Sequence, residues 1–157
     1  MEHPLRSNSR RKGFTLIELL VVITIIGFLT SIALVILSDA REKSRDSRRF
    51  EDFQQIKNAL ALYSADQNGL YPPGTDLGIL VSGGYIQAFP MDPLNIGSYT
   101  YSYQGTTYSG SVCNSALCSS YVLKVILEQP EQEALDVDID GVLAGVDCTD
   151  PSFCIIP

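Results

Sequence analysis

One segment constrains this chain more than any other. Residues 14–37 read FTLIELLVVITIIGFLTSIALVIL and contain a single charged side chain, Glu18. A helix of about 20 apolar residues is long enough to cross a bilayer, so this run predicts a membrane-spanning helix. The sequence therefore divides into a leader over residues 1–13, a transmembrane half-helix over 14–37 and an exported globular domain over 38–157.

Charge is distributed unevenly on the two sides of the apolar run. The chain has 11 Lys/Arg and 18 Asp/Glu; residues 1–13 hold four of the basic residues and one acidic residue, so residues 14–157 hold 7 and 17. Basic residues before a span favour a cytoplasmic N-terminus, with membrane lipid around the span. The acidic body argues against a footprint for nucleic-acid phosphates, and no nucleic-acid contact is predicted.

The helix is predicted to continue beyond the apolar run and to become amphipathic. Charged residues are frequent over 41–52 and fill the positions left by an apolar stripe. The pair Asn68-Gly69 is the first firm stop signal, so the helix is predicted over Phe14–Gln67. The stripe has helical spacing and consists of Phe50, Phe53, Ile56, Leu60 and Tyr63.

Strand-like segments follow the helix. Tyr99–Tyr103 alternates with period two, and Tyr121–Leu127 is rich in residues that favour strands, with Gly-containing turns between them. A helix followed by strands predicts an α+β fold, in which a small antiparallel sheet packs on the amphipathic half of the helix.

The four cysteines all follow the apolar run, at Cys113, Cys118, Cys148 and Cys154. An even number in an exported domain favours two disulfides, and the spacings are poor for zinc. Three pairings are open, of which the local one, 113 with 118 and 148 with 154, is expected. Four reduced thiols would require a cytosolic location, which the span contradicts.

Catalysis is not predicted. The single histidine, His3, lies in the leader, so the rest of the chain cannot assemble a set of nucleophile, histidine base and orienting group. No cofactor is required by any motif.

The junction at Gly13 carries the most specific motif. Residues 12–20, KGFTLIELL, resemble the class III signal of type IV prepilins and type II secretion pseudopilins. The resemblance implies the type IV pilin fold, cleavage after Gly13 by a membrane prepilin peptidase, and methylation of the new N-terminal Phe14 by the same enzyme. It also implies self-assembly into a filament, driven by an assembly ATPase and a membrane platform protein.

Glu18 has two interpretations. Thr15 and Glu18 have the spacing of a capping box, in which Thr15 is the N-cap and Glu18 the third helical residue. A carboxylate inside an apolar run is also costly, at about 2.5 kcal/mol or more deep in a membrane, so a partner is expected. The resemblance implies that this partner is the Phe14 amine of a neighbouring subunit. The two roles are compatible.

The acidic tail resembles a calcium loop. Asp136, Asp138 and Asp140 precede Gly141, and Asp147 is the twelfth residue of the pattern. Major pseudopilins often hold calcium in a C-terminal loop, so Ca²⁺ bound by these four aspartates is one hypothesis. The alternative is an edge strand and turn with a charged outer face.

The resulting hypothesis is a structural subunit of a type IV pilus-like filament. It would span the inner membrane once before assembly and reach the cell surface, or cross the periplasm, afterwards. A type II secretion major pseudopilin is the alternative. A secreted or membrane-tethered binding domain is a further one, although ordinary signal peptides have an apolar region of only about 7–15 residues.

Overall fold

The computed structural model describes residues 13–157, apart from the side chain of Val35. Of the predicted leader, residues 1–12 lie outside the described residues. The chain separates into two compact units, the first ending at Asp39 and the second covering Ala40–Pro157.

Helix α1 extends over Leu16–Asp66, within two residues of the predicted bounds. It ends as predicted at Asn68-Gly69, where the backbone enters the left-handed region with φ of 56° and 84°. Asn and Gly tolerate this conformation best. The Gly69 N–H donates to the Ser64 carbonyl at 2.8 Å, which closes the last turn.

The second unit contains a short helix and two antiparallel sheets, and the predicted α+β fold is confirmed. The elements are α2 (Gly78–Ser82), β1 (Ser102–Thr106), β2 (Ser120–Ile126), β3 (Val142–Leu143), β4 (Val146–Asp147) and β5 (Ser152–Ile155). The larger sheet has the order β1-β2-β5, and β3 and β4 form a hairpin.

Strand β2 is buried on both faces, between the α1 stripe on one side and a smaller apolar cluster on the other. Successive side chains of a strand point to opposite sides. Tyr121, Leu123 and Val125 share the main core with the α1 stripe, whereas Val122 packs with the disulfide pair Cys148 and Cys154. The main core also holds Phe53, Ile56, Ala59, Leu60 and Tyr63 from α1.

The predicted strand at Tyr99–Tyr103 is displaced in the structure, where β1 starts at Ser102. The two earlier tyrosines contact the helix instead of the sheet. The Tyr99 ring lies over the Arg49 guanidinium, 4.9 Å from its carbon, and the Tyr101 hydroxyl donates to Asp52 at 2.7 Å. The register therefore begins with Ser102 opposite Lys124.

Some charged residues of the amphipathic half lie on the buried face, which the apolar stripe does not predict. Asp46 and Arg49 are fully buried, and Asp52 is nearly so. Arg49 donates to both oxygens of Asp92 at 2.6 and 3.0 Å, and also to Asp46 at 2.6 Å. Its fourth hydrogen bond, to Glu128, is 2.7 Å long.

The Arg49 cluster connects three segments that are distant in the sequence. Asp92 accepts the Leu94 N–H at 2.8 Å, and Asp46 accepts the Glu128 N–H at 3.1 Å. Arg45 makes a second ion pair with Glu128. Buried guanidinium and carboxylate groups need such complete hydrogen bonding because desolvation is costly. The cluster fixes the loop at Asp92 and the segment after β2 to the helix.

Removing Arg49 should therefore destabilise the exported unit strongly. Arg49→Met leaves buried carboxylates without a counter-charge, and we expect a loss of about 3–5 kcal/mol in the free energy of unfolding. Arg45→Met is the matched control; because Arg45 is 29% exposed, its loss should cost about 1 kcal/mol or less. Denaturant titration of the full chain in detergent, followed by tyrosine near-ultraviolet circular dichroism, measures both. Equal losses would contradict this ranking.

The same cluster predicts acid sensitivity. Burial alone would raise the pKa of Asp92, but hydrogen bonds from Arg49 and the Leu94 N–H outweigh it, so the pKa is lowered. The hydrogen bond from Arg45 lowers the pKa of Glu128, and the bond from Arg49 adds to this effect.

Carboxylates whose pKa is lowered in the folded state stabilise the fold. Their full contribution is present above the carboxyl pKa of the unfolded chain, which is about 4. This stability is lost as the pH falls through the lower values of the folded state. The melting temperature should therefore decrease when the pH is lowered below about 4. This decrease should be smaller in Arg49→Met. A melting temperature that stays constant down to pH 2 would contradict the prediction.

Candidate functional site

The start of α1 forms a complete capping box. The Thr15 N–H and hydroxyl both donate to Glu18 Oε2, at 2.9 and 2.6 Å, and the Glu18 N–H donates to the Thr15 hydroxyl at 3.3 Å. These bonds satisfy N–H groups that have no partner within the helix. The second carboxylate oxygen, Oε1, accepts no hydrogen bond from residues 13–157, so the charge remains accessible at the helix start.

The apolar run that follows is exposed throughout its described side chains. Phe14 is 83% exposed, and the apolar window of α1 is entirely unburied. By length and composition, α1 is able to cross a membrane. A continuous apolar surface of this kind needs lipid or other apolar helices around it.

Gly13 lies immediately before this helix, in open surroundings. A Cβ placed there would have no atom within 4 Å, and the same holds for Gly27 inside the helix. Neither glycine is therefore required by packing among the described residues.

The cysteines form the local pairs. Cys113 bonds to Cys118, and Cys148 bonds to Cys154, with no free cysteine among the described residues. The first bond lies where the chain after α1 meets the sheet: the Tyr71 N–H donates to the Cys118 carbonyl at 2.7 Å. The second bond is buried and attaches the β3–β4 hairpin to β5.

The acidic tail brings together a different set of carboxylates from the one predicted. Single oxygens of Asp138, Asp140 and Asp150 lie within 4.8 Å of one another. The group includes Asp138 and Asp140 of the predicted four, whereas Asp136 and Asp147 do not belong to it. The Asp147 carboxylate accepts the Thr149 N–H at 3.0 Å instead, because it caps the turn after β4.

Asp138 is the most constrained member of the group. Its Oδ2 accepts the Cys154 N–H at 2.6 Å, and its buried Oδ1 has no hydrogen-bond partner among the described residues. Burial raises the pKa of Asp138, and the nearby charges of Asp140 and Asp150 raise it further. A buried carboxylate oxygen without a partner, beside two other carboxylates, fits a hard cation with oxygen ligands.

The alternative interpretation of this segment, an edge strand and turn, agrees with the structure only in the turn. Residues 136–138 form turns and bends, residues 139–140 have no regular structure, and the hairpin strands begin only at Val142. Asp138 instead blocks the outer edge of β5, because its carboxylate takes the N–H of Cys154. An edge capped in this way cannot pair with another strand at that position.

Comparison with known proteins agrees with the motif at the helix start. The family profile described as the prokaryotic N-terminal methylation motif matches residues 8–34. The type II secretion system core protein G of Aeromonas hydrophila is 34% identical over 97 residues, covering 54% of this chain and 68% of that protein. The chain belongs to the type IV pilin and pseudopilin family.

Other relatives in the pilin and pseudopilin family give the same result. The core protein G of Escherichia coli K12 is 33% identical over 104 residues, covering 57% of this chain and 70% of that protein. Fimbrial protein Q of Moraxella bovis is 33% identical over 112 residues, covering 68% of this chain and 71% of that protein. No solved structure matches significantly.

Two features of this pilin-like chain were not predicted from its sequence. Asp150 joins the acidic group because it lies inside the ring closed by Cys148 and Cys154, and that ring position was the available signal. In the sequence, Arg49 is one of many charged residues over 41–52. Its partners Asp92 and Glu128 lie far away in the sequence, and nothing local identifies them.

Proposed function

We propose that this chain is a structural subunit of a helical, membrane-anchored filament of the pilus type, made by cleavage after Gly13 and methylation of Phe14. The observation that carries the proposal is the apolar first part of α1, which starts at the signal motif and is exposed along its described length. In the precursor, lipid would cover this surface. In the filament, the same helices of other copies would cover it.

Glu18 supports the assembly part of this proposal. Its carboxylate is held at the helix start by Thr15, yet Oε1 remains open to a partner outside the described chain. Cleavage after Gly13 creates a new positive charge on Phe14. An amine from a neighbouring copy would remove the cost of an unpaired carboxylate in an apolar environment and would set the register between copies.

A type II secretion pseudopilus is the second candidate. The relatives from Aeromonas and Escherichia are both named as core protein G of that system, whereas the Moraxella relative is a fimbrial protein. In either system the role is structural. We further propose that a prepilin peptidase, an assembly ATPase and a platform protein act on the chain, and that its N-terminus faces the cytoplasm before assembly.

The first test concerns processing. Gly13→Leu should leave the full-length precursor in the membrane, because a large side chain obstructs the peptidase cleft, whereas a Cβ at this position meets no described atom within 4 Å. Gly27→Ala is the matched control, since its site is equally open, and it should be processed normally. Immunoblots of membrane fractions resolve the two forms. Normal processing of Gly13→Leu would contradict the assigned cleavage site.

The second test separates the two roles of Glu18. Glu18→Gln keeps a side chain that completes the capping box but removes the charge. We expect normal processing and membrane location, with filament yield reduced by about tenfold or more, as the loss of an ion pair worth about 1.4 kcal/mol implies. Sheared filaments measured by immunoblot report the yield. If Glu18→Gln assembles normally and only Glu18→Ala fails, Glu18 is a helix cap alone.

We also propose that the acidic group of the second unit binds Ca²⁺. Asp138, Asp140 and Asp150 would hold the ion, and the unpaired Oδ1 of Asp138 supports this assignment. Calcium takes six to eight oxygen ligands, so backbone carbonyls or water would supply the others. The bound ion would neutralise mutual repulsion and stabilise the C-terminal segment.

Calcium should therefore raise the melting temperature of the full chain in a concentration-dependent way. Saturation at about 100 times the dissociation constant would add about 2.7 kcal/mol. Asp150→Asn should abolish the shift, whereas Asp136→Asn, outside the group, should retain it. Mg²⁺ should substitute poorly because it requires tighter octahedral geometry. An unchanged melting curve in millimolar calcium, or equal loss in both variants, would contradict the assignment.

A further inference from the structure

Residues 128–134 lie along one flank of the first exported turns of α1. Gln129 donates to Glu42 at 2.7 Å, and Glu128 pairs with Arg45. Further along this segment, a groove is lined by Lys43 and Ser47 of the helix and by residues Glu131–Ala134. The chain after β2 is therefore held beside the helix at the level of residues 42–49.

Two arginines occupy the other flank of the same turns. Arg41 and Arg48 are seven residues apart, so they lie on one side of the helix and about 10 Å apart along its axis. Lys43 is rotated from Arg41 by about 200° and belongs to the opposite flank. Both arginines are exposed, and neither forms an ion pair with any residue of 13–157.

The segment on the flank with residues 128–134 carries carboxylates without a described partner, and these extend to residue 136. Glu131, Glu133 and Asp136 are exposed, and none has a hydrogen bond or ion pair within residues 13–157. No Lys or Arg follows Lys124 in the sequence. We name residues 131–136 the acidic segment, and Arg41 with Arg48 the arginine strip. They lie on opposite sides of α1 at a similar level.

We propose that the arginine strip of one copy pairs with the acidic segment of the next copy. The proposal rests on the filament function proposed above and names the surface through which exported domains meet. Complementary patches on different sides of one subunit make a head-to-tail interface, which generates an open helical assembly when the rotation does not close. Because the arginine strip extends about 10 Å along the helix axis, it can contact the acidic segment of a copy that is displaced along the filament.

Charge balance supports a second copy as the occupant. Residues 14–157 hold 7 basic and 17 acidic residues, so closely packed exported domains repel one another unless opposite charges meet. Arg45 and Arg49 are already engaged within the domain. An anionic lipid surface fits less well, because it would repel the acidic segment that lies at the same level of the helix.

Charge reversal with rescue tests this interface. In the full chain, Arg41→Glu with Arg48→Glu should reduce sheared filaments by at least about tenfold, since attraction becomes repulsion. Glu131→Arg with Glu133→Arg should have a similar effect, and combining all four should restore most of the yield. Lys57→Glu reverses the charge of an exposed lysine elsewhere on α1 and should leave the yield unchanged. Melting temperatures confirm that each variant is folded.

Cross-linking gives a second readout that does not depend on charge reversal. Co-expressed Arg48→Cys and Glu133→Cys chains should form a disulfide-linked dimer in filaments, and Lys57→Cys with Glu133→Cys should not.

The outcomes distinguish this interface from the function on which it rests. Wild-type filaments with reversals that are not rescued, and no cross-link, would overturn the interface alone. A lower yield from the arginine reversals alone, with no effect of the acidic-segment reversals, would assign the strip to lipid and also overturn it. A wild-type chain that never forms filaments would contradict the filament function itself.

Discussion

The uninterrupted helix α1 is the constraint on which the rest of the structure depends. Its apolar residues up to Leu37 have no apolar partner within the described chain, so they require lipid or other copies. Its later residues instead find partners in the domain that follows. A single sequence element thus produces a subunit that is stable in a membrane and, in a filament, contributes its helix to a shared core.

The exported part of α1 is fixed by charge as well as by apolar packing. The stripe from Phe53 to Tyr63 forms the core with β2, whereas the fully buried Arg49 binds Asp92 and the partly buried Glu128. Apolar packing alone tolerates small shifts along a helix, but a four-bonded guanidinium does not. The cluster therefore sets where the loop at Asp92 and the segment after β2 meet the helix. That segment in turn carries the acidic residues proposed to face a neighbouring copy.

Much of this architecture could be predicted from local patterns. The bounds of α1 follow from an apolar run, a stripe and the Asn68-Gly69 stop, and β2 was predicted within one residue. The start of β1 was not, because Tyr99 and Tyr101 have strand-like alternation but contact Arg49 and Asp52. The acidic group was predicted only in part. Asp150 lies inside the ring closed by Cys148 and Cys154, and the twelve-residue calcium pattern, which ends at Asp147, does not reach it.

Intact mass of the protein extracted from cells that contain the processing peptidase reports cleavage, methylation and disulfides together. We expect a chain that begins at Phe14, carries one added methyl group and lacks four hydrogens, as two disulfides require. A full-length chain beginning at Met1, or a chain beginning after the apolar run at Arg41, would contradict it.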